Sequence, residues 1–217
     1  MKIKIFFALI TLSFFVSACN KEETKINYYN NGKVSSELHY KNGKLDGISN
    51  YYYQNGKLQS SYMYKDGLLD GKSTSWYLNS TKESEANYKQ GKLDGIKIAY
   101  NQDGTKAYLE TYKNDSLDGE YISYHTNGKI RIKGFYKNGL YDEHWIYLDR
   151  FGRMVGEADY KLGKGVQKAY YTTGTLKQLV HFKNNEKDGR EEFYDLEGNL
   201  TKVNIYKNGL FIEERNK

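Results

Sequence analysis

The chain has 217 residues, of which 38% are hydrophobic and 28% are charged, and it contains 23 tyrosines but no proline. So few aliphatic side chains cannot fill a thick, dry core, whereas tyrosine can cover a sheet whose rings stay half solvated. The net charge of +6 is spread evenly along the chain, which disfavours a nucleic-acid-binding protein.

The first 18 residues have the pattern of a secretory signal peptide. A basic start, Met1–Lys4, precedes the apolar run Ile5–Val16. This run is too short to span a bilayer, which needs ~20 apolar residues, but it matches the apolar core of a signal peptide. We therefore predict that residues 1–18 are removed from the mature protein.

The only cysteine, Cys19, directly follows Val16-Ser17-Ala18. This segment resembles the lipobox of bacterial lipoproteins, which implies that Cys19 is acylated and becomes the mature N-terminus. The alternative is an ordinary cleaved signal with a free thiol nearby. Several acyl chains on one terminus would form a stable membrane anchor.

Residues 19–27 are interpreted as the lipidated cysteine and a charged tether. Within them, Lys21-Glu22-Glu23 is similar to the surface-export tag of some Gram-negative lipoproteins. The expected location is the bacterial cell envelope, as an outer-membrane lipoprotein, with exposure on the outer surface as one alternative.

An aromatic residue followed by lysine recurs every 24 residues from Tyr40 to Tyr160, and one interval of 22 precedes Phe182. The eight anchor aromatics are Tyr40, Tyr64, Tyr88, Tyr112, Tyr136, Tyr160, Phe182 and Tyr206. A period kept along the chain predicts a repeat domain over residues 28–217, with about eight units that contact their neighbours in line. The sixth unit is two residues shorter than the others, and we predict that the two residues are missing from its turn.

Each unit has the pattern of two strands and two turns. Leu58–Tyr64 alternates, Lys65–Gly71 turns and Lys72–Tyr77 returns. Asn-Gly and Asp-Gly pairs between such runs are strong hairpin signals, because these residues tolerate positive φ. The sequence therefore predicts an all-β fold of tandem 24-residue β-hairpin repeats that form one elongated, single antiparallel sheet.

This pattern resembles the MORN repeat, and more closely the MORN variant repeat of an antitoxin family. The residues that carry the resemblance are Tyr52, Gly56-Lys57-Leu58, Tyr64-Lys65-Asp66-Gly67 and Gly71, with equivalents over about residues 28–213. The resemblance implies a MORN-like sheet, and it implies an antitoxin or immunity role. It is specific for the fold and weak for the function, since one fold serves many functions.

One aspartate position recurs in the turn segments of six units. Its members are Asp46, Asp70, Asp94, Asp118, Asp142 and Asp188. We interpret them as carboxylates that accept hydrogen bonds from N–H groups of their own turns. A calcium site at Asp115, Asp118 and Glu120 is the alternative, but the dense spacing of known calcium loops is missing. No cofactor or metal is therefore expected.

Alternation places the anchor aromatics, Leu58 and its equivalents on a packed face. It places the alternate residues of each returning strand on the opposite face, which is irregular and rich in the aromatic types common at contact surfaces. The candidate partner-binding residues on and beside it are Tyr121, His125, His144, Trp145, Tyr147 and Arg150. The alternative is that these rings simply cover a thin sheet that has no other core.

Catalysis has little support, because the sequence lacks the motifs of serine hydrolases, zinc proteases and phosphate-binding loops. We expect a non-catalytic, membrane-anchored lipoprotein that acts as a protein–protein interaction scaffold, and the family resemblance suggests a toxin as its partner. The alternatives are a cell-envelope glycan-binding module, which would stack sugars on tyrosine and tryptophan rings, and a membrane-surface adaptor.

Overall fold

A computed structural model describes residues 21–216, which form a single antiparallel sheet of 18 strands. In chain order the strands are β1 (Glu22–Tyr28), β2 (Val34–Lys41), β3 (Lys44–Leu45), β4 (Gly47–Tyr52), β5 (Leu58–Lys65), β6 (Leu68–Trp76), β7 (Lys82–Lys89), β8 (Lys92–Tyr100), β9 (Lys106–Lys113), β10 (Ser116–Tyr124), β11 (Ile130–Lys137), β12 (Leu140–Leu148), β13 (Met154–Lys161), β14 (Lys164–Tyr170), β15 (Leu176–Lys183), β16 (Glu186–Tyr194), β17 (Leu200–Lys207) and β18 (Leu210–Asn216). Over these residues the structure contains no helix that is long and apolar enough to cross a membrane.

The strands pair in the order of the sequence. β2 pairs with β1 on one side and with the short β3 and β4 on the other, and each later strand pairs with the one before it. The sheet is therefore an open meander with two end strands, β1 and β18. This confirms the predicted all-β fold of hairpin repeats in one antiparallel sheet.

The sheet begins earlier than the sequence analysis expected. Glu22–Tyr28 forms β1, whereas residues 19–27 were assigned to a charged tether. Tyr28 stands 24 residues before Tyr52, so the residues ahead of it occupy the place of a returning strand and pair with β2. The predicted signal peptide and Cys19 lie outside the described residues.

One edge of the sheet is formed by two-residue turns, which we call the tight-turn edge. The turn Asp66-Gly67 between β5 and β6 has φ angles of 51° and 88°. Positive φ at both residues is what a type I′ hairpin turn requires. The assignment of all of Lys65–Gly71 to a turn is wrong, because β6 already begins at Leu68.

In most units an Asp-Gly pair forms a bulge inside a strand. Tyr64 pairs with Leu69, but the next pair on the same face is Tyr62 with Ser73, so β6 carries extra residues between them. Gly71 lies in this insertion with a φ of 119°. An extra residue in one strand bends the strand and increases its twist, as bulges do.

The other edge of the sheet is formed by five-residue loops, which we call the wide-loop edge. In the loop after β4, the Tyr53 amide donates to the Lys57 carbonyl at 2.8 Å and the Gly56 amide donates to the Tyr53 carbonyl at 2.8 Å. Gly56 has a φ of 89°. A type I turn followed by a left-handed glycine is a common hairpin connection.

The sixth unit has lost its bulge and has kept its turn. Leu162-Gly163 still turns with positive φ at both residues, but β13 and β14 pair without any register shift. The two missing residues therefore come from the strand, which corrects the prediction. Asn185 bridges the shortened unit, since its side chain accepts from the Tyr141 amide at 2.8 Å and donates to the Gly139 carbonyl at 2.9 Å.

Cross-strand pairing assigns the two faces. Tyr62 pairs with Ser49 on one side and with Ser73 on the other. Directly paired residues share a face, and Tyr64 follows Tyr62 by one alternation. The face that carries the anchor aromatics, which we call the anchor face, therefore also carries the returning-strand residues that were predicted to lie opposite.

The other face of the sheet, which we call the reverse face, carries the positions that were predicted to pack with the anchors. Tyr52 pairs with Leu58 after a register shift at the wide-loop edge. That shift moves Leu58 out of alternation with Tyr64 and onto the face of Tyr52. The predicted division of faces is wrong because strict alternation was counted across residues that the structure places in bulges.

Candidate functional site

An aromatic cluster around Trp145 on the anchor face forms a buried hydrophobic core. Trp145 is only 3% exposed, and Tyr160 is buried beside it. The Trp145 ring centroid lies 4.9 Å from that of Tyr141, 5.1 Å from that of Tyr136 and 5.8 Å from that of Tyr121. Most of these rings meet edge to face, the geometry that aromatic pairs prefer.

The indole of Trp145 fits because the strand beside it has no side chain at the contact. A Cβ atom on Gly134 would lie 2.0 Å from Trp145 Cδ2, which no real structure allows. The indole Nε1 donates to the Asp142 carbonyl at 2.9 Å and to the Phe135 carbonyl at 3.2 Å. Trp145 is therefore a satisfied core residue and not an exposed contact residue.

Two further candidate residues belong to the same packed region. Tyr121 stacks on Trp145 with an interplanar angle of 26°, and Tyr147 packs against the cluster. Burial raises the pKa of Tyr147 to about 12 and raises that of Tyr160 further still. These directions fit hydroxyl groups shielded from water. The burial of Trp145, with Tyr121 and Tyr147 packed against it, favours the thin-sheet core as the account of these three rings. Their role as partner-binding residues stays a prediction.

His125 lies on the wide-loop edge, where it connects two units. Its Nε2 donates at 2.8 Å to the carbonyl of Leu148, the last residue of β12 before the next wide loop. At the equivalent positions the hydroxyls of Tyr53 and Tyr77 donate to the carbonyls of Trp76 and Tyr100 at 2.7 and 2.8 Å. His125 therefore takes the place of a tyrosine in a ladder that joins successive loops.

His144 and Arg150 lie apart from the cluster and from each other. His144 is on the reverse face, where its Nδ1 is 2.8 Å from an Asp159 carboxylate oxygen. Arg150 is in a wide loop, and its guanidinium carbon lies 5.0 Å from the centroid of the Phe151 ring. The six predicted residues thus fall on both faces and on one edge, and they form no common site.

The recurring aspartates connect units instead of closing their own turns. The Asp46 carboxylate accepts from the Asp66 amide at 3.1 Å, and the Asp142 carboxylate accepts from the Leu162 amide at 2.9 Å. Each bond spans 20 residues and joins the bulge of one unit to the tight turn of the next. The interpretation as a local turn contact is corrected, because the bulge projects the carboxylate toward the neighbouring turn.

A lysine precedes every two-residue turn and so lines the tight-turn edge. The eight lysines are Lys41, Lys65, Lys89, Lys113, Lys137, Lys161, Lys183 and Lys207. The bulge aspartates alternate with them, and Lys137 Nζ lies 3.0 Å from an Asp118 carboxylate oxygen. The edge therefore carries mixed charge and not a field of one sign.

No group of three or more histidine, aspartate or glutamate side chains within residues 21–216 could hold a metal ion. The carboxylates proposed as an alternative calcium site have other roles, since Asp115 accepts from the Leu93 amide at 2.7 Å and Glu120 lies 2.8 Å from Lys133 Nζ. His181 Nδ1 bonds the Arg190 carbonyl at 3.0 Å. These side chains therefore serve the sheet itself.

An apolar depression on the reverse face of the first units is a candidate contact surface. It has a volume of about 380 Å³ and is lined by Ile48, Met63, Thr74 and Trp76, among others. Ile48 and Met63 pair directly across β4 and β5 and are 50% and 41% exposed. This surface was not predicted from the sequence, because strict alternation did not place these side chains on an open face.

An open, single-layer sheet of repeated hairpins defines a class of repeat protein. The family model described as the MORN repeat variant matches residues 24–42, 45–66, 69–90, 117–138 and 164–184. The chain is therefore a MORN variant repeat protein, as its sequence pattern suggested. No curated protein matches the chain.

The matched segments follow the boundaries of the structure. The segment 45–66, for example, runs from the start of a returning strand to the next tight turn. The stretches between matches, such as residues 93–114, have the same strand, loop and strand order. All units therefore share one backbone plan, and they differ mainly in the side chains that they display.

Proposed function

We propose that this chain is a non-catalytic, membrane-anchored lipoprotein that acts as a protein–protein interaction scaffold. The observation that carries the proposal is the apolar depression at Ile48 and Met63 on the reverse face. Exposed apolar side chains that adjoin one another, with polar groups around them, are a mark of protein contact sites.

The scaffold that holds this surface is well connected. Backbone bonds link successive tight turns, as between the Gly67 amide and the Leu45 carbonyl at 2.8 Å. Tyrosine hydroxyls link successive wide loops, as between Tyr53 and the Trp76 carbonyl at 2.7 Å. A surface held on both edges loses little conformational entropy when a partner binds, which favours affinity.

The membrane anchor in this proposal is Cys19, and the location is the outer membrane of a bacterial cell envelope. Its support is the sequence alone, namely the signal-like start and the lipobox-like segment. Replacement of Cys19 by alanine (C19A) is expected to abolish labelling with radioactive palmitate and to release the protein from membranes. Palmitate labelling that persists in C19A would remove the anchor from the proposal.

An antitoxin or immunity role is the narrower form of the proposal. In that form the depression would cover part of a toxin domain by surface complementarity. The support for this role is the resemblance of the repeat sequence to that of an antitoxin family. Identification of the partner would test the role.

The experiment is crosslinking in living cells with a C-terminally tagged chain, followed by purification and mass spectrometry. The informative variant is Ile48→Thr with Met63→Thr, because threonine removes the apolar surface but suits a strand. Ile96→Thr is the matched control, since Ile96 is a 47% exposed reverse-face residue that does not line the depression. We expect one polypeptide to be crosslinked to the wild type and the control, and to be lost from the double variant.

The double variant must remain folded for this result to count, which circular dichroism on the purified chain checks. A crosslinked polypeptide that is equally abundant in the double variant would contradict the proposed surface. Retention of sugar or lipid, with no polypeptide in any of the three samples, would contradict the protein-scaffold function and favour an envelope-binding module.

A further inference from the structure

The wide loops share a side-chain cap that fixes their shape. At the third loop position a side-chain oxygen accepts from the amide two residues later. These bonds are Asn31 to Lys33 at 3.1 Å, Asn55 to Lys57 at 2.9 Å, Asn79 to Thr81 at 3.0 Å, Asp103 to Thr105 at 2.9 Å, Asn127 to Lys129 at 3.1 Å and Thr173 to Thr175 at 3.5 Å. Such caps are typical of asparagine, aspartate and threonine in turns.

The loop at residues 149–153 departs from this plan at two positions. Asp149 stands where most sister loops have the tyrosine or histidine of the inter-loop ladder, and Phe151 stands where they have the capping side chain. A phenyl ring cannot accept a hydrogen bond from an amide in the way that an Asn or Asp oxygen does. This loop therefore lacks both the tyrosine or histidine of the inter-loop ladder and the capping side chain at its third position.

Asp149 restores the cap from a different position. Its carboxylate accepts from the Phe151 amide at 2.8 Å, from the Arg153 amide at 3.0 Å and from Arg153 Nε at 2.8 Å. Burial acts to raise the pKa of Asp149, but these bonds outweigh it and lower the pKa to about 2. The loop therefore keeps its shape without any contribution from the Phe151 side chain.

The eighth loop shows that this rearrangement does not by itself call for an aromatic residue. There Asp195 accepts from the Asn199 amide at 2.7 Å, and the position equivalent to Phe151 is Glu197. A polar residue is therefore compatible with a loop that an aspartate caps in this way. Phe151 is not explained by loop geometry.

Phe151 is 59% exposed and has an arginine on each side of it in the loop. The guanidinium carbons of Arg150 and Arg153 lie 5.0 and 5.2 Å from the ring centroid. Lys129 Nζ donates to the Phe151 carbonyl at 3.0 Å. An exposed ring with two guanidinium groups combines the side-chain types that dominate the energetics of protein contacts.

We propose that Arg150, Phe151 and Arg153 form a docking tip for an acidic segment of a protein partner. The phenyl ring would enter an apolar pocket, and the Arg150 guanidinium would pair with a carboxylate beside that pocket. Arg153 is already paired with Asp149 at 2.8 Å, so it would contribute by holding the loop and flanking the ring. Arg is suited to this role because its planar group binds carboxylates with two parallel hydrogen bonds. This inference rests on the scaffold function proposed above, and it adds a second contact at the edge of the sheet.

The test replaces the residues at the tip of this loop by those of a sister loop. Arg150→Thr with Phe151→Asn converts the loop tip to the Thr126-Asn127 sequence of the preceding loop, so the variant should fold at least as well as the wild type. Thr173→Asn is the matched control, since it makes the same kind of change in the next loop. The full chain is held in nanodiscs of zwitterionic lipid, so that its anchor remains in place.

The probes are defined peptides that carry alternating glutamate and leucine residues, with matched peptides in which each glutamate is glutamine. We expect the acidic peptide to bind the wild type and the control, and its affinity to fall at least about tenfold in the Arg150→Thr, Phe151→Asn variant, as for loss of a contact hot spot. The single variants Phe151→Ala and Arg150→Gln should each show part of this loss of affinity for the acidic peptide.

Equal binding of the acidic and the glutamine peptides, or unchanged affinity in the double variant, would overturn the proposal. So would binding of phosphatidylglycerol vesicles that depends on Phe151 while peptide binding does not, since that result would assign the tip to a lipid surface. The cellular crosslink separates the two levels of inference. A crosslinked partner that survives in this variant leaves the scaffold function standing and rejects the docking tip, whereas no partner in the wild type rejects the scaffold function itself.

Discussion

Two parts of the anchor face, three repeats apart, use the same backbone with opposite patterns of side-chain size. In the first units the row across three strands reads Ser49, Tyr62, Ser73, so a large ring lies between two small residues. At the positions 72 residues later the row reads Tyr121, Gly134, Trp145, so two large rings lie on either side of a glycine. Both rows fill the surface. Tyr62 meets the rings of Tyr51 and Tyr64, whereas the second row belongs to a larger cluster around the buried Trp145.

The comparison shows that packing in this sheet depends on complementary sizes and not on a fixed residue at each position. The first row buries serine side chains, and the Ser49 hydroxyl is fully buried without a hydrogen-bond partner. The second row buries an indole whose N–H is satisfied twice. We therefore expect most of the side-chain contribution to stability to lie in the second part.

Substitution of Trp145 should have the largest effect. Trp145→Ala removes a 3% exposed indole from a cluster that cannot close over the space, and we expect a loss of about 3–5 kcal/mol in the free energy of unfolding. Ser73→Ala, at the equivalent position, should change stability by less than about 1 kcal/mol, because no hydrogen bond is lost. Urea unfolding of the two variants measures the difference.

Hydrogen exchange locates the effect of the Trp145 substitution along the repeats. In a repeat protein each unit contacts its neighbours, so amides in β10–β15 should lose protection first in Trp145→Ala. Equal losses in the two variants, or uniform loss of protection along the sheet, would contradict the unequal distribution of stability.

Gly134 tests the size complementarity directly. Gly134→Ala would place a methyl group 2.0 Å from Trp145 Cδ2, so the indole must move and we expect a cost of about 1–3 kcal/mol. The same substitution in a Trp145→Ser background should cost much less, because the row then has a small residue beside the new methyl. A double-mutant cycle by urea unfolding measures this coupling. Additive effects would contradict a direct steric relation.

The sequence was sufficient to predict the repeat and the sheet, and insufficient to predict the faces. The 24-residue spacing and the positive-φ pairs such as Asp66-Gly67 act locally, so they can be recognised without tertiary information. The bulge at Asp70-Gly71 changes the pairing register, and register depends on which strand lies opposite. Trp145 was therefore assigned to the wrong face, and Ile48 and Met63 were missed.

Glu143 offers a smaller test of the same comparison. It occupies the bulge position of Gly71, three repeats later, and has a φ of 58°. Positive φ costs a residue with a Cβ about 1–2 kcal/mol, part of which is offset because glycine gains freedom in the unfolded chain. We therefore expect Glu143→Gly to raise the free energy of unfolding by up to about 1 kcal/mol.

The reverse substitution is the control for Glu143. Gly71 has a φ of 119°, and a Cβ there would lie 3.0 Å from Met63 Cγ. Gly71→Glu should therefore destabilise the protein, whereas Glu143→Gly stabilises it, and thermal unfolding shows both signs. A loss of stability in Glu143→Gly would mean that its carboxylate makes a contribution larger than the backbone strain.

The smallest expected effect is on stability at low pH, and it arises at Glu85, whose equivalent three repeats later is Glu157. Glu85 lies 2.7 Å from Lys72 Nζ and 2.9 Å from Lys82 Nζ, and it accepts from the Tyr100 hydroxyl at 3.0 Å. The hydrogen bond from Lys72, then that from Lys82, lowers the pKa of Glu85 from 4.5 to about 2. Glu157 has a single lysine, at 3.7 Å.

A carboxylate whose pKa is lower in the folded than in the unfolded chain stabilises the fold above its unfolded value, and this stability is lost as the pH falls toward the folded value. Between pH 4.5 and pH 2 the wild type should therefore lose stability more steeply than Glu85→Gln. Urea unfolding at several pH values measures the slopes. Because Lys72 is exposed to solvent, 0.5 M salt should reduce the difference roughly as expected for screened charges. Identical slopes in the wild type and in Glu85→Gln would show that the two lysines around Glu85 make no net contribution to stability.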